Sequence, residues 1–385
     1  MKRLVEKIDQ TLDWRWLPSL SRWMMEQAIA IQQIPAPTFH EAQRSAYVAD
    51  QFRSLDLALV ETDPLHNVYG LWLGDDQKAP AAMITAHTDT VFSVETDLTT
   101  RTDGALIYGP GLGDNSIGVA ALLGIAYALR HQYIQPDGNI WLVATVGEEG
   151  LGDLCGMKAA FARLKPYVQS VINLEGLAFE HVYHAGIAVR RLHITAHTEG
   201  GHSWLNFGRA SAIHGIVQLG ARITTLQPPA APRTTYNIGL IEGGQSINTI
   251  ASTASLWLDI RSEDQATLAE FERQIRAEVE ALTTSELRFT IEVVGDRPAG
   301  RLSPEHPLVQ GALAALSQLG VTGVLETGST DANIPLAAGC PAVTVGLTRG
   351  GNAHRLDEYV NTEPLSAGLR QLILLALAAT SREFL

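Results

Sequence analysis

Residue types that commonly bind metal ions or transfer protons follow short apolar stretches of this sequence. The run Ala81 to Ala86 is small and apolar, and His87-Thr88-Asp89 follows it directly. A short apolar run bounded by polar residues predicts a buried strand, and open α/β sheets place their ligands beyond the carboxyl ends of strands. His87 and Asp89 could therefore belong to a metal site, although a lone histidine at a strand end is more often a loop or packing residue.

Four further candidate ligands lie after predicted strands or in a glycine-rich turn. They are Asp114 at the end of the turn 109–114, Glu149 after a strand predicted over 139–146, Glu175 after a strand predicted over 170–174, and His354 after a strand predicted over 342–347. Neighbouring strands of one sheet end at the same edge, so these side chains are expected to converge with His87. Imidazole with carboxylate is typical of zinc and its neighbours, and two cysteines are too few for a thiolate site.

The three carboxylates among these five candidate ligands carry enough negative charge to accompany two divalent ions. Two dications, three ligand carboxylates and one bridging hydroxide approach neutrality, which lowers the cost of burying the charge. Two ions about 3.5–4 Å apart can hold both a nucleophile and a substrate oxygen. Glu148, next to Glu149, could act as the general base. Asp89 could hydrogen-bond the far nitrogen of His87 and set its tautomer.

Each candidate also has an ordinary structural interpretation. Glu148 and Glu149 could form a solvated turn, and Asp114 could cap a helix. His354 could belong to a plain surface loop, since its neighbours are charged. The metal interpretation therefore depends on all five positions together rather than on any one of them.

The elements that would position these residues alternate between helices and apolar strands. This alternation predicts an α/β domain whose mostly parallel sheet is covered by helices on both faces. It includes a helix over 116–130, with Asn115 or Ser116 as its cap. Between residues 186 and 297 the order becomes β-α-β-β-α-β with one-sided strands, which predicts an inserted ferredoxin-like α+β domain. The catalytic domain would then combine residues 1–185 and 298–385, which fits a 385-residue chain too long for one core.

Composition bears on partners and location. A net charge of −13 and the lack of a Lys/Arg-rich block argue against nucleic acid and anionic membranes as partners. The longest nearly apolar run, Gly118 to Leu129, is too short to span a bilayer. Two cysteines favour a reducing compartment, and the basic N-terminus has no apolar core behind it. We therefore predict a cytoplasmic protein.

Several segments together resemble the dinuclear zinc exopeptidase and deacylase family, which includes peptidase T, carboxypeptidase G, the acylated-ornithine deacetylases and the aminoacylases. The segments are AHTDTVF, GPGLGDNS, GEEG, INLEG and a late loop histidine, in the order of that family and over essentially the whole chain. The resemblance implies two divalent metal ions, usually zinc and sometimes cobalt or manganese, and a cis peptide between Asp114 and Asn115. It implies that Asp114 bridges the ions, that His87 and Glu175 complete one site and Glu149 and His354 the other, and that Glu148 is the general base.

The resemblance also implies roles for an inserted lid domain and for a late loop. The segment around His202 resembles a lid motif whose histidine, in dimeric members, reaches the partner's active site and stabilises an oxyanion. A homodimer through the lid is therefore expected. Asn248 and Arg261 would lie near the substrate, and the loop Gly328, Ser329 and Thr330 would contact it. Two departures stand out: Ser116 replaces a common lysine, and Trp204 replaces a small residue.

These observations predict a metal-dependent hydrolase that uses a metal-bound hydroxide to cleave a terminal peptide or related amide bond. An exopeptidase of the carboxypeptidase type comes first. The resemblance implies that a glutamate such as Glu175 at this ligand position is more typical of carboxypeptidases and deacylases than of aminopeptidases. An N-acyl-amino-acid deacylase is the alternative, and a non-catalytic binding protein that keeps the fold is a further one. The substrate would be a small peptide or an N-acyl amino acid.

Overall fold

A computed structural model describes residues 1–384 as two compact units. The first unit combines Met1–Gly186 with Gly300–Leu385, and the second comprises Ile187–Ala299. The helices are α1 (Lys2–Thr11), α2 (Leu17–Gln32), α3 (Ala42–Ser54), α4 (Ile117–His131), α5 (Cys155–Leu164), α6 (Ala212–Ile223), α7 (Gln265–Leu282), α8 (Pro307–Gln318), α9 (Asn333–Ala337) and α10 (Leu365–Ala379).

The strands of the two units are β1 (Leu59–Thr62), β2 (Val68–Trp72), β3 (Ala82–His87), β4 (Arg101–Asp103), β5 (Leu106–Tyr108), β6 (Ile140–Thr145), β7 (Ser170–Leu174), β8 (His181–Gly186), β9 (Ala188–His197), β10 (Gly201–His202), β11 (Thr234–Gly243), β12 (Thr249–Ile250), β13 (Thr253–Ser262), β14 (Arg288–Arg297), β15 (Gly300–Arg301), β16 (Val324–Gly328), β17 (Ala342–Val345), β18 (Gly350–Gly351) and β19 (Tyr359–Asn361). A short π-helical turn, Leu112–Ser116, precedes α4.

The first unit is built on a nine-stranded sheet with the strand order β1-β2-β6-β3-β7-β17-β8-β15, and β16 pairs with β8 outside this path. The central neighbours β6, β3, β7 and β17 are parallel. Antiparallel pairs occur toward the two ends, as between β1 and β2 and between β8 and β15. The predicted α/β fold with a mostly parallel sheet is confirmed.

Consecutive residues of β3 contact separate cores on the two faces of this sheet, because successive side chains of a strand point in opposite directions. Ile84 belongs to the core that contains residues of α2, α4 and α10. Met83 belongs to the other core, which α5 closes with Met157 and Phe161. All six residues of β3 are buried, as expected for a strand covered on both sides.

The helical stretch from Leu112 to His131 is longer than the apolar run predicted from the sequence. Its 20 residues and mean hydropathy of 1.4 would be sufficient, by length and composition, to cross a membrane. However, 89% of its most apolar window is buried inside the protein. The stretch is therefore the core helix of the α/β unit.

A small antiparallel sheet with the order β18-β19-β5-β4 was not predicted, since its strands are only two or three residues long. It pairs Tyr359 of β19 with Tyr108 of β5. The chain before β19 is the loop that carries His354, and the chain after β5 is the glycine-rich turn that carries Asp114. This sheet therefore joins two of the segments that hold candidate ligands.

The inserted unit has an antiparallel sheet with the strand order β11-β13-β9-β14. With its two helices this is the β-α-β-β-α-β arrangement predicted from the sequence. Leu219 of α6 and Phe271 and Ile275 of α7 bury the apolar side of the sheet. Separately, β10 pairs with β12, which brings the segment of His202 beside Thr249.

Candidate metal centre

The carboxyl ends of three parallel strands bring candidate ligands to one edge of the sheet. His87 is the last residue of β3, and Glu175 follows β7 directly. Glu149 lies in the loop that follows β6, the other neighbour of β3. The parallel register of these strands explains why residues far apart in sequence meet here.

The two carboxylate oxygens of Asp114 each face a different histidine. Oδ1 lies 3.1 Å from Nε2 of His87, and Oδ2 lies 3.0 Å from Nε2 of His354. His87 Nε2 also lies 3.6 Å from a carboxylate oxygen of Glu175, and His354 Nε2 lies 3.0 Å from one of Glu149. The structure thus groups the five predicted ligands as two triads that share Asp114.

These triads fit divalent cations by the chemistry of their donors. In each triad, the imidazole nitrogen and the carboxylate oxygens lie within 4.8 Å of one another, close enough for one ion to contact all of them. A third group within the same limit combines His87, Glu148 and Glu149. Nitrogen and oxygen donors of this kind suit zinc, cobalt or manganese.

The pKa values of the ligands reflect their mutual attraction. Burial alone would raise the pKa of Asp114, but hydrogen bonds with His354 and His87 hold it well below its usual range. Burial would lower the pKa of His87, but its contacts with Asp114, Asp89 and Glu175 raise it well above the usual value. Hydrogen bonds to Asp114 and Glu149 raise the pKa of His354 to about 10. Burial raises the pKa of Glu175, which His87 only partly offsets.

The loop that carries Glu148 is held by side-chain acceptors at four successive main-chain amides. Val146 N–H donates to Asn67 Oδ1 at 3.0 Å, and Gly147 N–H donates to Glu41 Oε1 at 3.1 Å. The next two amides, those of Glu148 and Glu149, donate to the two carboxylate oxygens of Asp89 at 3.0 and 2.9 Å. Because these side chains come from other elements, the loop conformation depends on the tertiary structure.

Asp89 lies beside His87 as predicted, but its carboxylate has additional partners. His87 Nδ1 lies 3.1 Å from the main-chain oxygen of Asp89 and 3.5 Å from its carboxylate. Thr38 Oγ1 donates to the carboxylate at 2.9 Å, in addition to the two loop amides. Burial would raise the pKa of Asp89, but the contacts with His87 and the loop amides lower it. The tautomer of His87 is thus set mainly by the main chain of residue 89, which leaves Nε2 toward the ligand side.

Of the two predicted caps, Ser116 stands at the start of the helix but makes no capping hydrogen bond. Ser116 occupies the N-cap position of α4, yet its hydroxyl donates to the main-chain oxygen of Gly111 at 2.6 Å. Asn115 donates to the main-chain oxygen of Leu174 at 2.7 Å and accepts from Gly176 N–H at 3.0 Å. Asn115 therefore brackets Glu175 from both sides. The peptide between Asp114 and Asn115 is cis, which confirms that expectation.

The late loop lies near Glu175 through a chain of hydrogen bonds. The Asn173 side chain donates to Glu175 Oε1 at 3.3 Å and to Thr344 Oγ1 at 3.2 Å. Thr344 Oγ1 in turn lies 2.9 Å from Thr330 Oγ1. Gly328 ends β16, and Ser329 joins it to Thr330. This loop thus belongs to the first unit and is connected to a candidate ligand.

The remaining predicted site residues lie in the inserted unit. His202 is exposed, and its Nδ1 accepts from the main-chain N–H of Trp204 at 3.2 Å, so the proton of the neutral ring sits on Nε2. Asn248 is adjacent, because its main-chain oxygen accepts from Ser203 N–H at 3.0 Å. Arg261 forms an ion pair with Asp259 at 2.8 Å. The catalytic and substrate roles of these three side chains stay predictions.

Sequence reasoning missed the side chains that hold the ligand loops. Glu358 accepts three main-chain N–H groups from the turn 111–114, and burial raises its pKa to about 7. Glu358 had the signal of its closeness in sequence to His354, whereas Asn115 was predicted as a possible helix cap and not as a partner of the segment around Glu175. Glu41 and Asn67 had no such signal, because they act on main-chain amides, which every residue except proline carries.

The fold and the ligand arrangement together define a metal-dependent hydrolase class, and comparison with known proteins gives the family. Residues 83–378 match the model of Peptidase family M20/M25/M40. The protein belongs to this family, which confirms the resemblance stated from the sequence. It is accordingly a metal-dependent hydrolase of peptide or related amide bonds.

Relatives of the chain include both peptidases and deacylases. It is 24% identical over 348 residues to an uncharacterized protein of Bacillus subtilis, covering 84% of this chain and 90% of the relative. It is 24% identical over 380 residues to a succinyl-diaminopimelate desuccinylase of Methylorubrum extorquens, covering 86% and 92%. It is 28% identical over 308 residues to a probable carboxypeptidase of Aspergillus flavus, covering 70% of each chain.

Solved structures with a similar fold include two peptidases. Aminopeptidase PepT of Bacillus cereus has a TM-score of 0.76 at 19% identity, with 94% of this chain and 99% of that chain covered. The dipeptidase Dug1p of Saccharomyces cerevisiae has a TM-score of 0.78 at 13% identity, with 96% and 98% covered. At these identities the likeness shows the shared fold.

Metal binding at this site is expected to release protons and to strengthen as the pH rises. His354 with a pKa of about 10 carries a proton at neutral pH, whereas a ligand nitrogen must be neutral. Each proton released lowers the apparent dissociation constant about tenfold per pH unit. Titrating metal-stripped protein with Zn²⁺ in a weakly buffered indicator solution, and repeating the titration at about pH 6 and about pH 8, measures both effects.

A His354→Gln variant is the control, and it should release fewer protons than the unmodified protein. An affinity for Zn²⁺ that does not change with pH would contradict this prediction.

Proposed function

We propose that this protein is a dinuclear metallohydrolase that removes a terminal residue from a small peptide, with the carboxypeptidase type favoured. The observation that carries the proposal is the position of Asp114, whose two oxygens face His87 and His354 in separate ligand triads. A carboxylate shared in this way suits two ions that lie close together. Zinc is the ion that this donor set favours, with cobalt or manganese as substitutes.

Ions bound at such a site polarise a carbonyl oxygen and acidify a water molecule. The protein must then accept the proton of that water. A carboxylate oxygen of Glu148 lies within 4.8 Å of donor atoms of His87 and Glu149, so Glu148 is beside the ligands without completing either triad that shares Asp114. Glu148 would accept the proton at its carboxylate and later deliver it to the nitrogen of the leaving amine.

The rigidity of the Glu148 loop supports this role. Asp89 fixes the amides of Glu148 and Glu149, while Glu41 and Asn67 fix the two preceding amides. A general base needs a position within hydrogen-bond reach of its proton throughout the reaction. Hydrogen bonds at four successive amides constrain the main chain of the loop that carries Glu148.

The preference for the carboxypeptidase type has support from relatives, and so does the alternative. The Aspergillus flavus relative is named a probable carboxypeptidase, and the Methylorubrum extorquens relative is named a desuccinylase. Both reactions are hydrolyses of an amide bond, which the proposed metal centre could catalyse in either case. An N-acyl-amino-acid deacylase is therefore the second candidate.

We also propose a homodimer through the inserted lid unit. Strand β11 forms one edge of the lid sheet, and its Leu240 and Ile241 are both 56% exposed. Val217 of the neighbouring helix α6 is also exposed. An exposed apolar edge strand favours pairing with another strand, and two copies of one chain can pair in this way around a two-fold axis. In such a dimer His202 would serve the partner's site and stabilise the oxyanion.

Glu148→Gln is expected to lower the rate of hydrolysis by roughly 10²–10⁴-fold, because the proton acceptor is lost. Its metal content should match that of the unmodified protein, since Glu148 is not needed for either triad that shares Asp114. Elemental analysis and initial rates measure the two quantities. Glu149→Gln is the matched control, because it should lose metal as well as activity, and full activity in Glu148→Gln would refute the assignment of the base.

A panel of blocked substrates should distinguish the exopeptidase types. A carboxypeptidase hydrolyses an N-acetylated dipeptide but rejects a C-amidated one, because it needs a free carboxylate. An aminopeptidase shows the reverse pattern, and a deacylase prefers an N-acyl amino acid to both. Rates with added Zn²⁺, Co²⁺ or Mn²⁺ measure the preference, and the absence of hydrolysis with all three ions would favour a binding protein.

Adding charge to the β11 edge should dissociate the dimer. We expect the double variant Leu240→Lys and Ile241→Lys to sediment as a monomer, because pairing would bury like charges opposite each other. Val293→Lys is the matched control, since Val293 is exposed on β14 at the other edge of the same sheet. Sedimentation velocity measures the mass of each, and an unmodified protein that is monomeric and fully active would contradict the proposed dimer.

A further inference from the structure

Glu358 is a fully buried carboxylate that follows His354 by four residues and directly precedes β19. Its Oε1 accepts from the main-chain N–H of Gly113 at 2.6 Å and of Asp114 at 2.9 Å. Its Oε2 accepts from Gly111 N–H at 3.1 Å. One side chain therefore satisfies three amides of the turn that carries the shared ligand.

This turn needs an external acceptor to hold its shape. Gly111 has φ +69°, a conformation open to glycine, and the three amides converge on one point instead of joining a ladder. Convergent main-chain N–H groups form a concave site that attracts an anion. Here the carboxyl group of Glu358 takes that place, and it accepts a hydrogen bond from the main-chain N–H of Asp114 directly.

The same residue joins the turn to the loop of His354. The main-chain oxygen of Glu358 accepts from Gly109 N–H at 2.9 Å, which continues the pairing of β19 with β5. His354 itself has φ +66°, an unusual conformation for a residue with a side chain. The loop therefore relies on contacts such as those of Glu358 to present its imidazole toward Asp114.

We propose that Glu358 is a positioning residue of the metal centre, which sets metal affinity by fixing Asp114 relative to His354. Its oxygens accept main-chain amides, and among the described residues it belongs to none of the three side-chain groups that could hold an ion. The inference rests on the proposed metal centre, and it assigns to this centre a residue outside the ligand set. Without the three hydrogen bonds of Glu358, Asp114 would no longer be held where its two oxygens face His87 and His354.

Competition between metal-stripped protein and a chromogenic chelator for Zn²⁺ tests this role. In Glu358→Gln the remaining oxygen can still accept from the amides of Gly113 and Asp114. The new NH₂ group would face the Gly111 N–H, and since both groups are donors, that hydrogen bond is lost. We expect its affinity for Zn²⁺ to fall about 10–100-fold, as is usual when a residue that orients metal ligands is changed. Glu358→Ala, which loses all three contacts, should fall further.

Asp357→Asn is the matched control on the same loop. Asp357 is exposed, pairs with Arg355 and accepts a hydrogen bond from the Asn352 side chain at 3.0 Å. An asparagine oxygen can still accept that bond, so the variant should keep the affinity of the unmodified protein. Saturating Zn²⁺ should restore kcat in Glu358→Gln with KM unchanged, which a purely structural role would not predict. Thermal unfolding of the metal-stripped variants separates metal affinity from fold stability.

The outcomes are distinct. Unchanged Zn²⁺ affinity in both Glu358 variants would overturn the inference, and so would failure of both to fold, which would assign the residue to fold stability alone. If the unmodified protein binds no divalent ion, the proposed metal centre fails, and with it the basis for the inference. Weaker binding with rescue by excess Zn²⁺ in Glu358→Gln supports it.

Discussion

The sharing of Asp114 between His87 and His354 is the constraint on which the site depends. Its two oxygens face ring nitrogens of both histidines at 3.1 and 3.0 Å, so one side chain belongs to both triads. Three carboxylates at one sheet edge would repel each other without compensating positive charge. Contacts with these carboxylates raise the pKa of both His87 and His354, which favours positive charge on the rings when no ion is bound.

Hydrogen bonds from main-chain N–H groups to buried carboxylates hold the loops that carry the candidate ligands. Asp89, Glu41 and Glu358 are buried carboxylates, and each accepts amides from a loop that carries a ligand or the proposed base. A buried carboxylate needs hydrogen-bond donors, and an irregular loop needs acceptors. The same hydrogen bonds therefore give the buried carboxylates their donors and the loop amides their acceptors.

Periodicity was sufficient to find the elements with long apolar or alternating runs. Strand β7 coincides with the range predicted for it, and β3 and β6 are each shifted by a residue or less at their ends. Helix α5 and the strands of the small sheet with β19 escaped prediction, because their runs are short or mixed in polarity. Such segments take their conformation from neighbours that are distant in sequence.

The sequence by itself determined the fold class, and it predicted an inserted domain and five candidate ligands, since strand ends and residue types are local properties. Only the tertiary structure decided which oxygen of Asp114 faces which histidine and which side chains hold the loops. Asn115 illustrates the difference, because it was one of two residues expected to cap α4 and instead hydrogen-bonds to the main chain on both sides of Glu175. Its partners are main-chain groups 59 and 61 positions away along the chain. Almost every residue carries such groups, so no local pattern identifies them.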